Sequence, residues 1–337
     1  MSTRPDRPRT IAQIAELAGV SVPTVSKVVN GRADVAPETR ALVESVIREH
    51  GYQRQKKAPT PAPLLDLVFH ELEGAYAMEI IRGVEQVARE HHLAVVLSEL
   101  QGRHRPGRGW MEDVLGRRPT GVISVFSGLS PVQRDQLHSR GIPYVLVDPT
   151  GEPGHEFPSV GASNWTGGLS ATRHLLELGH RRIAVVSGPA RVLSSRARVD
   201  GHRAALDAAG VPADPDLVCE GDFHVADGLA HARRLLRLPD PPTAIFTCND
   251  AQGLGVYQAA HEAGLRIPAD LSVVGFDDLP PARWCIPPMT TVRQPLHEMA
   301  AAAATMVVTL AAGRPLERIR LELATALVVR GSTAPPR

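Results

Sequence analysis

The chain has 337 residues and a formal net charge of +1, with 43% hydrophobic residues, enough for two or three domains with real cores. Its three cysteines, Cys219, Cys248 and Cys285, are far apart and show no metal-ligand spacing. This argues against a disulfide framework and for a reducing compartment. No stretch approaches the roughly 20 apolar residues that a membrane helix needs.

The first ten residues, MSTRPDRPRT, are polar and lack the apolar centre of a secretion signal, so a cytoplasmic location is expected. Charge is uneven. Residues 1–60 carry ten Lys or Arg against six Asp or Glu, a net of +4, whereas the remainder nets −3. A small basic head on a mildly acidic body suggests a polyanionic partner for the head.

Within the head, Ile11, Ile14, Ala15 and Ala18 form a helical apolar stripe that Gly19 ends. Ser21 can cap a second helix with Pro23 in its first turn and Val25, Val28 and Val29 facing inward. A third helix follows Pro37, with Leu42, Val46 and Ile47 predicted to face in. Two short helices across a Gly-Val-Ser turn make a helix-turn-helix, which can lay one helix in a major groove. On that helix Val22, Pro23, Thr24, Ser26 and Lys27 are predicted to be exposed. The hydroxyls suit phosphate oxygens, and Lys27 suits a phosphate or a guanine edge. A purely structural three-helix bundle with an ordinary solvated face is the alternative.

The stretch from Thr10 to Tyr52, with LAGVS, TVS, NG and PETR, resembles the DNA-binding head of the lactose-repressor/galactose-repressor (LacI/GalR) family. The resemblance implies base-reading positions at Val22, Pro23 and Lys27. It implies phosphate-contacting or capping positions at Ser21, Thr24, Ser26 and Asn30. Ala36 departs from the pattern, because the family usually places a capping Ser there.

Next comes YQRQKKAPTPAP, with Pro59, Pro61 and Pro63 at alternate positions. Family members usually carry a short helix here that wedges into the minor groove as a pair. Proline lacks a backbone donor and disfavours helix in the residue before it, so an extended, semi-rigid linker is expected. Arg54, Lys56 and Lys57 add phosphate attraction. The predicted domains are the head at 9–52, the linker at 53–63 and the body at 64–333.

The body alternates apolar, β-branched runs (LLDLVF, AVVLSEL, GVISVF, PYVLVD, RIAVVSG, TAIFTC, LSVVGF) with helical patterns at 78–92, 166–179, 200–209 and 251–264. That is α/β, with parallel doubly wound sheets, and ligands of such sheets lie at the strands' carboxyl ends. Polar residues follow strand after strand: His70, Glu71 and Glu73; Asp148; Ser194, Arg196 and Arg198; Asn249 and Asp250; Asp277 and Asp278; Gln294. Such a set resembles the hydrogen-bond cage of a hydroxyl-rich ligand. Phe223, Trp165 and Trp284, read as loop residues, suit the apolar face of a sugar ring or ordinary packing.

LGHRRIAVVSGP, PTAIFTCNDAQGLGVYQAAHEAGLRIPADLSVVGFDD and PPMTTVRQP are similar to the effector domain of the same family. This implies a periplasmic-binding-protein-like body: two subdomains, three crossings and a ligand between them. The subdomains are expected at about 64–162 with 291–319, and 163–290 with 320–333. By matching motif, Asp148, Arg198, Asn249 and Asp277 become ligand-contacting positions and Phe223 a ring-stacking one. Ser194 and Gln294 are additions to that set, with His70 and Glu71 from the first strand's end.

No dinucleotide fingerprint or phosphate loop is present, and Asp277-Asp278 has no His or Cys partner in metal spacing. No catalysis, cofactor or metal is therefore expected. Residues 101–110, QGRHRPGRGW, read as a surface loop. The implied partners are a near-palindromic operator DNA, a mono- or oligosaccharide effector and a second copy of the chain, with a seam along helices near 78–92 and 296–312. A non-catalytic binding module, for a nucleobase or a sugar, is the alternative function.

Overall fold

The computed structural model describes residues 11–29, 35–50, 61–101, 105–149 and 157–337. Asn30, Arg54, Lys56, Lys57 and most of the expected linker lie outside them. Contacts divide the chain into a head, up to Thr60, and a body from Pro61 onward.

The head holds α1 (Ile11–Leu17), α2 (Val22–Val29) and α3 (Pro37–His50). Gly19, at φ +62°, ends α1 in a Schellman turn. Its N–H donates to the Glu16 carbonyl at 3.2 Å, and the Val20 N–H donates to Ala15 at 3.0 Å. Ser21 caps α2, because its hydroxyl accepts from the Thr24 N–H at 3.3 Å. The core joins Ile14, Ala15 and Ala18 to Val25, Val28, Val43 and Val46. Here one expectation fails: Leu42 is 49% exposed and Val43 is buried instead. Val43, Val46 and Ile47 share one face at spacings of three and four, and Leu42 falls off it.

The body contains two sheets. The first lobe begins with β1 (Ala62–Phe69), α4 (Gly74–Glu90), β2 (Ala94–Glu99) and α5 (Arg108–Arg117), and continues through β3 (Pro119–Val125), α6 (Pro131–Ser139), β4 (Tyr144–Val147) and β5 (Ser159–Ala162). The second lobe starts with α7 (Asn164–Glu177), β6 (Ile183–Ser187), α8 (Leu193–Ala208), β7 (Val218–Glu220) and α9 (Val225–Leu235). It ends with β8 (Ala244–Thr247), α10 (Asp250–Glu262), β9 (Ser272–Asp277), α11 (Pro280–Trp284) and β10 (Thr290–Arg293). The chain then returns to the first lobe as α12 (Leu296–Ala311) and β11 (Arg320–Leu323), and closes on the second as β12 (Ala326–Val328).

Strand orders are β11-β5-β4-β3-β1-β2 and β12-β10-β9-β8-β6-β7. All pairs are parallel except β10 with β12. Both faces of each sheet are covered, which is why the strands read as near-continuous apolar runs. Leu65, Leu67 and Phe69 face α4 and α12, while Val68 packs with Met111, Val114 and Leu137 on the other side. Asp66 is fully buried in that apolar run. Its carboxylate is matched by Arg117 at 2.6 Å and by a hydrogen bond from Ser98 at 3.1 Å, as a buried charge requires.

Several boundaries differ from expectation. The first strand starts at Ala62, whose N–H donates to Arg118 at 2.8 Å, so Pro61 and Pro63 belong to the body rather than to the linker. Pro63 is tolerated because the β1–β3 register shifts between Ala62 and Leu65, where a missing N–H breaks no ladder bond. The second crossing lies between Arg293 and Leu296 and the third between Leu323 and Ala326, so β10 sits in the second lobe's sheet and β11 in the first's. Both strands are four residues long, too short for a periodic signal. The segment read as a surface loop at 101–110 gives its last three residues to α5. Along α12, Met299, Ala300, Ala303, Ala304 and Val307 are buried. This helix is therefore core on most of its surface, and α4's outer side, with Met78 49% exposed, is the freer of the two expected seam helices.

Candidate functional site

On the head, the capped turn leaves one face of α2 outward. Val22, Pro23 and Lys27 are exposed and Thr24 and Ser26 partly so, while Val25 and Val28 anchor the opposite face. Val22 offers methyl groups at 41% exposure, and Lys27 stands in the last turn. An apolar contact, two hydroxyls and an ammonium on one short helix are the side-chain types that reach base edges and phosphates.

In the body, a cavity of about 760 Å³ opens between the two lobes at the carboxyl ends of their strands. Six of the nine expected effector residues line it: His70, Glu71, Arg198, Phe223, Asn249 and Asp277. The other three do not. Asp148 and Gln294 stand one layer behind, and Ser194 is buried with its hydroxyl making no hydrogen bond among the described residues. The cause is connectivity: Asp148 is turned toward Tyr76, and Gln294 is held by Arg198.

Arg198, 2% exposed, is the hub. It donates through Nε to Asn164 Oδ1 at 2.8 Å, through Nη2 to Gln294 Oε1 at 3.0 Å and through Nη1 to the Cys248 carbonyl. Its guanidinium lies 3.7 Å over the Phe276 ring and 3.8 Å from Asp277 Oδ1. That Asp277 oxygen is buried without a hydrogen-bond partner among the described residues. Gln294 Nε2 continues the chain to Asp148 Oδ2 at 3.5 Å, which also accepts from the Tyr76 hydroxyl at 2.8 Å. The α7–α8 crossing that delivers Arg198 is close, since a Cβ on Gly168 would stand 2.1 Å from the Arg198 carbonyl oxygen. Arg196, two residues earlier, is exposed.

Burial pushes the Asp277 carboxyl well above its ordinary range, against the pull of Arg198, and the carboxylates of Asp250 and Asp148 push it further. Burial also raises Asp148, against Arg198 and the Tyr76 hydrogen bond. Two buried acids beside one guanidinium, with Asp250 a third acid near Asp277, cannot all be ionised cheaply. Asn249 is doubly engaged: its amide donates to the Phe223 carbonyl at 2.8 Å and its oxygen caps α10 through the Gln252 N–H at 2.8 Å.

The opposite wall is aromatic. Tyr76 and Phe126 have ring centroids 5.2 Å apart, and Phe126 and Phe223 6.3 Å, tilted by 41° and 40°. Phe223 fits because Gly188 has no Cβ, which would meet its ring at 2.1 Å. Phe126, Asp148, Phe223 and Asp277 all have positive φ, at 47°, 46°, 69° and 112°. Strained backbone at four neighbouring positions marks a constellation held for its geometry.

Tyr76, Phe126 and His224 were missed from sequence. The first two follow strand ends closely, which was the available signal; His224 sits at a loop start with no local pattern. Trp165 and Trp284 lie on helices, 47% and 75% exposed, and neither lines the cavity.

Residues 10–55 match the family of bacterial regulatory proteins, lacI family, and residues 172–333 match the periplasmic binding protein-like domain. The HTH-type transcriptional regulator CelR of Thermobifida fusca is 36% identical over 337 aligned positions, covering 96% of this chain and 98% of CelR. The chain belongs to the lacI family. It is accordingly a DNA-binding transcriptional regulator. A solved CelR–cellobiose complex superposes with a TM-score of 0.73 at 35% identity, covering 97% of this chain and all of that one. The lac repressor dimer bound to operator and an anti-inducer superposes at 0.70 with 28% identity and the same coverage. No helix among the described residues is long and apolar enough to cross a membrane.

Proposed function

We propose that this lacI-family regulator is a cytoplasmic homodimeric repressor whose affinity for a near-palindromic operator is set by a small neutral carbohydrate, of the glucose-based disaccharide class, held between the lobes. The observation that carries this is the pairing of a tilted aromatic wall with the Arg198–Asp277 pair across a cavity of about 760 Å³. Aromatic faces suit the C–H faces of a pyranose, and charged acceptors and donors suit hydroxyls. The two rings of each adjacent pair are tilted by 41° and 40°, so neither adjacent pair forms a sandwich for a flat base. The likeness to CelR, solved with cellobiose, supports the same class.

In this reading Phe223, Phe126 and Tyr76 pack on the sugar, and Arg198, Asp277, Asn249, His70 and Glu71 bond its hydroxyls. Asp148, Gln294 and Ser194 orient them from behind. On the head, Val22, Pro23 and Lys27 read bases, while Ser21, Thr24, Ser26, Asn30, Arg54, Lys56 and Lys57 hold phosphates or cap. The protein binds and does not catalyse. A thermal-shift panel of the full chain against cellobiose, ribose and adenine tests the class. Cellobiose should raise the melting temperature; a shift with adenine and none with either sugar would overturn it.

A further inference from the structure

We propose that the cleft mouth carries a site for one divalent transition-metal ion, Zn²⁺ or a close relative, on Glu71, Glu73 and His224. One ligand atom from each lies within 4.8 Å of the other two. Among the described residues no other three His, Cys, Asp or Glu side chains converge in this way. The two glutamates belong to the loop between β1 and α4 in the first lobe, and His224 immediately precedes α9 in the second. All three line the cavity. Local spacing could not show this, because the imidazole comes from a distant part of the chain.

A second observation bears on the glutamates. Glu73 occupies the N-cap of α4, yet its side chain accepts no hydrogen bond from the helix's free N–H groups. A glutamate is longer than the usual Ser, Thr, Asp or Asn cap, and this carboxylate does not turn back to the backbone. It is instead directed to the same point as Glu71 and His224. Two carboxylates that converge on one point attract a cation. Among the described residues, Glu71 pairs with two imidazoles, His224 at 3.7 Å and His70 at 3.9 Å.

One imidazole and two carboxylates supply nitrogen and oxygen donors that Zn²⁺ accepts, and three ligands leave a fourth coordination position open. The imidazole argues against Mg²⁺ and Ca²⁺, which prefer oxygen. The three ligands line the cavity, so a ligand hydroxyl or a water can complete the shell. Because the ligands come from both lobes, the ion favours the arrangement in which the lobe rims stay together.

The test is calorimetric titration of the chelator-stripped full chain with Zn²⁺, with melting curves in parallel. One tight site per chain is expected, together with a rise in melting temperature. Glu73→Gln and His224→Asn should each weaken that site by about tenfold or more. His91→Ala, which removes an exposed imidazole outside the cleft, should leave it intact. All three positions are partly or fully exposed, so metal-free melting should match the parent in each variant. Equal zinc affinity in all proteins would overturn the site. So would the absence of zinc binding to the parent chain.

Discussion

Arg198 and Phe223 face the same cavity but are built differently, and substitution should separate them. Arg198 is inside, bonded to Asn164, Gln294 and the Cys248 carbonyl. Arg198→Ala should destabilise the body by roughly 3–5 kcal/mol, because it strands Asp277 as a buried acid. Phe223 is half-buried against Gly188. Phe223→Ala should cost little stability and weaken sugar binding by about 1 kcal/mol or more. Denaturant melts and calorimetry check both; equal stability of the two variants would contradict the hub role. Asp250 gives a pH signature. Burial raises its carboxyl from 3.8 to about 7, against hydrogen bonds from the Thr291 hydroxyl and the Leu279 N–H. The folded form therefore holds the proton more tightly than the unfolded chain does. The corresponding stability is full below the ordinary carboxylate pKa and is lost as pH rises through about 7. Melts at about pH 6 and pH 8 should show the body losing on the order of 1 kcal/mol over that range, and Asp250→Asn should flatten the slope.

At the level of elements, the linker carries the sharpest expectation. Pro61 and the strand from Ala62 belong to the body, and Pro59 stands two residues before Pro61 in the sequence. A helix across that join would have to pass through Pro59 and Pro61, each of which removes a donor and disfavours helix before it. Bound operator should therefore be bent less than a minor-groove wedge would bend it. A strong central kink in a circular-permutation assay would contradict this. The same elements show why some structure was legible and some was not. Long apolar strands and α2, with its Ser21 cap and Gly19 stop, carry local chemistry that survives in any context. The four-residue β5, β10 and β11 are strands only because neighbours pair with them, so the crossings were misplaced. α5 begins in a Gly- and Arg-rich run that reads as loop, and becomes helix because Met111 and Val114 find the sheet. Five cleft residues were legible because doubly wound sheets present strand ends to ligands, and Phe223 through the family's motif. Tyr76 and Phe126 were passed over although they follow strand ends, and His224 required the two lobes to be brought face to face.

Over the whole body, the site and the crossings are one network. Asn164 opens the first crossing's helix, Gln294 lies in the second, and the Thr325 hydroxyl of the third donates to the Ser163 carbonyl at 3.2 Å. Arg198 holds two of the three directly while lining the cavity. A ligand that contacts Arg198 and Asp277 therefore acts on the segments that set the angle between the lobes. Its influence is limited to its difference in affinity for the two arrangements. The most direct test is fluorescence anisotropy of the full chain on operator DNA selected from a random pool, at fixed salt, with and without saturating cellobiose. The sugar should lower operator affinity by roughly 5- to 150-fold. Unchanged operator affinity, at a sugar concentration that demonstrably raises the melting temperature, would contradict the coupling.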